Sequence, residues 1–275
     1  MESGVYVQRP IAILDSGVGG LTVVKEVMRQ LPREKVIYFG DTARTPYGPR
    51  PSDEVVRFTQ EIVSYLMQYK PKMIIIACNT ATAAALEDIR SMVDVPVVGV
   101  INPGARAAIN QTKTGIVGVI GTVGTVRSRA YEDALKRLNP NIHVVSLACP
   151  LFVPLVEQGN FRSKETMDTV RESMEKLKDI PLDTLILGCT HYPFLSETIQ
   201  EVMGSGVKLI SSDNETAREM STILQESGKL AHGPELPIHQ FFCSGEPKMF
   251  KRIAQQWLGE QIELTPVVWQ IPKIG

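Results

Sequence analysis

Excess positive charge is the first thing this chain lacks. Its 29 Lys and Arg are balanced by 30 Asp and Glu, for a net charge of −1. That balance offers no footing for nucleic acid or an anionic membrane surface as a partner. No apolar run approaches the roughly 20 residues a membrane span needs. The opening stretch, MESGVYVQRPIAILDSG, has no basic segment followed by a long apolar core, so it does not read as a secretory signal. Cysteine is sparse: Cys78, Cys149, Cys189 and Cys243 are the full set, and no two lie within 30 residues of each other. Such spacing gives neither a disulfide framework nor a C-x-x-C redox motif, and the four scattered histidines complete no zinc pattern. The expected compartment is the cytoplasm, with the thiols reduced, and no metal is expected. DSGVGG (residues 15–20) satisfies neither G-x-G-x-x-G nor the Walker pattern, so nucleotide-loop chemistry is not indicated.

What is present is repetition. Short β-branched runs alternate with amphipathic segments along most of the 275 residues. PIAILDSG, KVIYFGD, MIIIACN, VPVVGVINP, GIVGVIGT, HVVSLACP, TLILGCT and VKLISSD read as strands. Helical patterns such as GLTVVKEVMRQLP, SDEVVRFTQEIVSYLMQYKP and VRSRAYEDALKRLNP stand between them. The tail HQFFCSGEPKMFKRIAQQWLG reads as one more strand and helix. Strands apolar on both faces, each followed by a helix, predict a doubly wound parallel α/β sheet. The pattern also restarts near residue 100: DSGVGGLT is echoed by GTVGTVRS, and ACNTAT by GCTHYP. The expected architecture is therefore two similar α/β lobes with a cleft between them. One comprises residues 1–99 and 211–275, the other residues 100–210.

The chemistry-bearing residues fall at strand ends, where open parallel sheets bind ligands. Cys78 and Cys189, 111 residues apart, each follow an apolar run and precede a helix-like pattern. A helix start offers free N–H groups and partial positive charge, which favour a thiolate and can seat a carboxylate. A single strand-end Cys is more often a small buried hydrophobe. The matched settings, with Asn79, Thr80, Thr190 and His191 alongside, favour a functional pair. Asp15 ends the first strand and should open onto the same crevice; the plainer reading of Asp15 and Ser16 is helix capping. GDTARTPYGPR, with Tyr47 and Gly48 between prolines, reads as a binding loop or an ordinary turn. Cys149, before Pro150 at another strand end, lacks polar neighbours, and Cys243 sits in FFCSG; both read as structural.

LDSGVGGLTV, YFGDTARTPYG, ACNTATA and LGCTHYP together resemble the signature segments of bacterial glutamate racemases, collinearly over nearly the whole chain. The resemblance implies a cofactor-independent interconversion of L- and D-glutamate that supplies D-glutamate for peptidoglycan, by a cytoplasmic homodimer. It places the catalytic thiols at Cys78 and Cys189, and assistance to them at Asp15, Glu157 and His191. It places substrate contacts at Asp15, Ser16, Tyr47, Gly48, Asn79, Thr80, Thr190 and His191. Inverting a stereocentre by deprotonation needs a base on one face and an acid on the other, which two facing thiols supply. Two other readings stay open on the residues alone: a non-catalytic module binding a small anion at helix starts, and a thiol redox protein, which the missing C-x-x-C disfavours.

Overall fold

The structure, a computed structural model, describes residues 7–258 apart from Asn160 and Glu235. The ends of the expected first lobe (residues 1–6 and 259–275) lie outside the described residues. A five-stranded parallel sheet in the order β4-β3-β1-β2-β9 is built from β1 (Ile11–Asp15), β2 (Val36–Gly40), β3 (Met73–Ile76), β4 (Val97–Gly99) and β9 (Gln240–Cys243). A four-stranded parallel sheet in the order β6-β5-β7-β8 is built from β5 (Ile116–Gly121), β6 (His143–Ala148), β7 (Thr184–Gly188) and β8 (Lys208–Ser211). Helices α1 (Leu21–Gln30), α2 (Ser52–Met67), α3 (Asn79–Met92) and α4 (Ile101–Gln111) follow the first four strands. Next come α5 (Val123–Ser128), α6 (Ala130–Leu138), α7 (Phe152–Glu157), α8 (Lys164–Met174), α9 (Ser196–Met203), α10 (Ser212–Glu226) and α11 (Pro247–Leu258).

Alternation along β1 explains the layering. Ile11 and Ile13 pack on one face with Val23, Val24 and Val27 of α1. Ala12 and Leu14 pack on the other with Val55, Phe58 and Ile62 of α2. Full burial of each Val, Ile or Leu contributes about 1.5–3 kcal/mol, so both helices are drawn onto the sheet. The cluster on the α1 face continues into the second sheet through Ile120, Leu185 and Leu187. The two lobes thus share one apolar seam, and α10 packs against both α1 and α4. At the end of the first sheet remote from the cysteines, the buried Lys72 ammonium lies 2.6 Å from Glu34 and also donates to the Val7 and Lys229 carbonyls. These partners offset the cost of burying its charge.

The structure departs from the periodicity in four places. The stretch VRSRAYEDALKRLNP (residues 126–140), read as one helix, instead joins the end of α5 to α6, because Arg129 adopts a left-handed φ of 57° between them. Helix α4 was not anticipated: Pro103 and Gly104 look like turn residues, yet Pro103 falls in the first turn, where its missing N–H costs nothing. Short α7 was likewise unforeseen. Strand β6 is not buried on both faces: it is an edge strand, exposed or half-exposed along its length.

Candidate active site

Parallel strands in both sheets deliver their carboxyl ends to one place. Cys78 lies two residues beyond β3 and caps α3, its extended backbone (φ −65°, ψ 121°) letting Sγ accept the Ala81 N–H at 3.4 Å. The same sulfur donates to Ser16 Oγ at 3.6 Å. Cys189 directly follows β7, but no α-helix starts there. A 3-10 turn with Pro193 near its start occupies Tyr192–Leu195, and α9 begins only at Ser196. The expectation that both cysteines open a helix is corrected to one of two. At Cys189 the positive partner is a side chain instead: His191 Nδ1 lies 3.7 Å from Sγ, and His191 Nε2 lies 2.5 Å from Glu157 Oε1. Glu157 Oε1 also accepts the Val18 N–H at 3.1 Å, tying this relay to the glycine-rich loop of the other lobe.

Both sulfurs, with Ser16, Tyr47, Gly48, Asn79, Thr80, Thr190 and His191, line a single cavity. It is nearly closed. About 10 Å3 is available to the centre of a water-sized sphere, close to the minimum for one water. Asp15 and Glu157 do not line it. Asp15 is fully buried behind it, accepting the Gly17 N–H and the Thr190 hydroxyl, each at 2.9 Å. Tyr47 commits its hydroxyl to Asp41, so the phenol is held in the first lobe rather than offered to a ligand. Thr122 and Val153 also line the cavity and were not singled out from the sequence. Thr122 sat in the echoed GTVGTVRS segment and caps α5, a legible polar signal. Val153, an apolar residue in an apolar helix, carried none.

Electrostatically the two thiols differ. Burial, and then the neighbouring Asp15 carboxylate, push the Cys78 thiol up to about 12, against the smaller opposing effects of the Ala81 N–H and Ser16. A downward shift, expected from the helix start, does not occur at Cys78. Burial also raises Asp15, with His191 and the Gly17 and Thr190 donors opposing. Burial works against charge on His191, but its hydrogen bonds to Cys189 and Glu157 prevail and hold the imidazolium well above the ordinary histidine range.

One feature of the cavity wall asks for an anion. Asn79 Oδ1 accepts the Tyr131 hydroxyl at 2.7 Å, while its Nδ2 is buried with no hydrogen-bond partner. An orphaned buried donor costs roughly 1–3 kcal/mol, which a ligand carboxylate at the start of α3 would relieve. Thr80 adds a hydroxyl, itself 2.8 Å from Thr122 Oγ1. No Lys or Arg lines the cavity. Among the described residues no group of three or more His, Cys, Asp or Glu is placed to hold a metal ion, and no helix is long and apolar enough to cross a membrane.

Comparison with known proteins agrees with this geometry. The sequence model of the Asp/Glu/Hydantoin racemase family matches residues 15–220. A glutamate racemase of Bacillus cereus is 55% identical over 255 residues, covering 93% of this chain and 95% of its own. The crystal structure of a glutamate racemase isoform from Bacillus anthracis superposes with a TM-score of 0.89 at 48% identity, covering 94% of this chain and 98% of its own. That of the Francisella tularensis glutamate racemase, solved in complex with D-glutamate, gives 0.86 at 35% identity, covering 93% and 96%. By the family match and by near-full-length similarity to its members, the chain belongs to the Asp/Glu/Hydantoin racemase family.

Proposed function

We propose that this protein interconverts L- and D-glutamate by a two-thiol mechanism, without an added cofactor. The observation that carries the reading is that one thiol from each sheet lines a single closed cavity beside an unsatisfied amide donor. In the L-to-D direction Cys189, paired with the His191 imidazolium, takes the α-proton. The electron pair left on Cα spreads into the α-carboxylate, which the Asn79 amide and the start of α3 stabilise. The neutral Cys78 thiol delivers its proton to the opposite face. The cycle then stands reversed, with thiolate at Cys78 and thiol at Cys189, ready for D-glutamate. Asp15 and Glu157 act behind the reacting sulfurs: Glu157 orients and charges His191, and Asp15 keeps Cys78 protonated and holds the Thr190 hydroxyl. A water-excluding cavity strengthens each of these interactions. With no arginine clamp in the cavity, recognition rests on length and shape, so glutamate is preferred over aspartate and glutamine is poor. The same reading assigns the enzyme to the cytoplasm, as a homodimer feeding D-glutamate into peptidoglycan synthesis; similarity to glutamate racemases supports it.

The test is incubation of dialysed, metal-free protein with L-glutamate in D2O, following optical rotation and α-deuterium by NMR. Rotation should decay to zero with deuterium entering at Cα. Saturable glutamate binding without exchange would leave the anion-binding module. Activity that requires zinc or tracks a pyridoxal absorption band would remove the two-thiol mechanism. Comparable kcat/KM for aspartate would change the substrate.

A further inference from the structure

A second pocket, of about 220 Å3, adjoins the closed cavity, and Thr80 contributes to the wall of both. Arg50, Ser52, Gly124, Arg127 and Ser128 supply much of its polar lining. Between the two spaces runs a main-chain contact across the lobes, from the Gly124 N–H to the Gly48 carbonyl at 2.8 Å. Gly48 faces the inner space and Gly124 the outer one. Neither carries a side chain, so at that point the wall between the two spaces is a main-chain hydrogen bond, flanked by the cross-lobe contacts of Thr80 with Thr122 and Thr125.

The two arginines of the outer pocket are not equivalent. Arg50 is held in place: Nε and Nη2 donate to the Arg44 carbonyl at 2.9 and 2.7 Å, and Nη1 pairs with Glu54 at 3.1 Å. Its charge is matched. Arg127, on α5 of the other lobe, is exposed and makes one long hydrogen bond, 3.5 Å from Nη2 to the Arg50 carbonyl. Among the described residues it has no carboxylate partner. The inner cavity, by contrast, holds no Lys or Arg at all. An anion approaching from this side meets its uncompensated guanidinium outside the cavity, next to the contact that must part.

We infer that the Arg127 pocket is an outer binding site for the substrate's carboxylate, occupied before the Gly48–Gly124 contact opens. The inference rests on the proposal that the substrate is glutamate, an amino acid with net charge −1. Arg127 is a capture residue: its charge raises the local concentration of substrate at the mouth and takes no part in proton transfer. One unit charge acting through water at about 7 Å alters such an encounter about three-fold at low ionic strength. Reversing the charge alters it about ten-fold, and salt screens both effects.

The experiment measures kcat and KM for L-glutamate in wild type, Arg127→Gln, Arg127→Glu and Arg127→Lys, at low and high ionic strength. At low salt kcat/KM should fall about three-fold for Gln and about ten-fold for Glu, with kcat retained and Lys near wild type. High salt should erase the differences. Equal kcat/KM in all four proteins at low salt would overturn the inference, as would a loss of kcat that persists at high salt. Calorimetric binding of glutarate, a dicarboxylate without an α-amino group, separates the two proposals. If wild type fails to racemise but Arg127→Glu still weakens glutarate at low salt, the outer site stands and the racemase reading fails. If wild type racemises and Arg127→Glu leaves glutarate affinity unchanged, the outer site fails alone.

Discussion

Cys78 and Cys189 stand at corresponding ends of two parallel sheets, yet the protein treats the two sulfurs by opposite means. Around Cys78 the positive influence is a helix start, worth about 0.3–1 kcal/mol at an exposed terminus. That is less than one pKa unit (1.36 kcal/mol), whereas full burial can shift a group by several units. Burial and Asp15 therefore win, and Cys78 rests as a thiol. Around Cys189 the helix start is absent and a charged side chain replaces it, with Glu157 behind His191. Symmetry of position is thus combined with asymmetry of surroundings: burial and Asp15 hold Cys78 as a thiol, while Cys189 faces the His191 imidazolium. A two-base mechanism needs that division at the outset of each turnover.

The largest effect should come from removing either sulfur. Cys78→Ala and Cys189→Ala should each lower racemisation of both enantiomers by about 10³-fold or more, since every turnover needs an acid and a base. Half-reactions should separate them. With β-chloro or N-hydroxy glutamate analogues, Cys78→Ala should retain elimination from the L form and Cys189→Ala from the D form. A single mutant racemising near the wild-type rate would end the two-thiol account.

Next in size is the histidine. His191→Asn should lower kcat/KM about 10²-fold. Enantiomers have equal free energy in water, so kcat/KM must fall equally for both directions, and any asymmetry appears in kcat and KM together, by the same factor. The imidazolium exists below its raised pKa and is lost as pH rises through it, so wild-type activity should decline on the alkaline side. Glu157→Gln removes one group that raises it and should move that decline to lower pH. A pH–rate profile that does not move would mean Glu157 does not control His191.

A smaller effect, about ten-fold on kcat/KM, is expected for Asp15→Asn, because in the proposed mechanism Asp15 acts through Cys78 rather than on substrate. Its diagnostic is the pH dependence of Cys78 alkylation, read by mass spectrometry. The midpoint should fall from about 12 but stay above an ordinary thiol, since burial remains. No change would remove Asp15 from the control of that sulfur. The smallest effect should be blind to the comparison. A methyl at Gly124 would stand 2.8 Å from the Gly48 carbonyl and 3.1 Å from Thr80 Cγ2. Overpacking of about 1 kcal/mol should slow kcat about five-fold, equally from L- and from D-glutamate. Unequal slowing would show that closure favours one sulfur.

Much of the site was legible because its residues sit in fixed relation to strands. Apolar runs ending in Cys78 and Cys189 locate both thiols, Asn79, Thr80, Thr190 and His191 follow as their neighbours in the chain, and Ser16 stands beside Asp15 at the end of β1. Glu157 was not legible in this way. It lies 34 residues before His191 and meets it only through the packing of α7 against the turn after β7, so resemblance alone pointed to it. The Cys78 shift was hidden for a related reason: the helix start is written locally, but complete burial is a property of both lobes together. Helix α4 was obscured by Pro103 and Gly104, residues whose meaning depends on which turn of a helix they occupy.

A cavity with room for about one water has a consequence for occupancy. No amino acid can enter that form, so binding draws on the fraction of molecules whose cleft stands open. Apparent affinity is the intrinsic affinity reduced by that fraction. Closure and capture are therefore in tension: whatever strengthens the Gly48–Gly124 contact dries the site for proton transfer but shrinks the receptive population. A compound too bulky for the cleft to close around it would face only that population. It would act as a wedge, holding the two sulfurs apart without resembling the substrate in its chemistry.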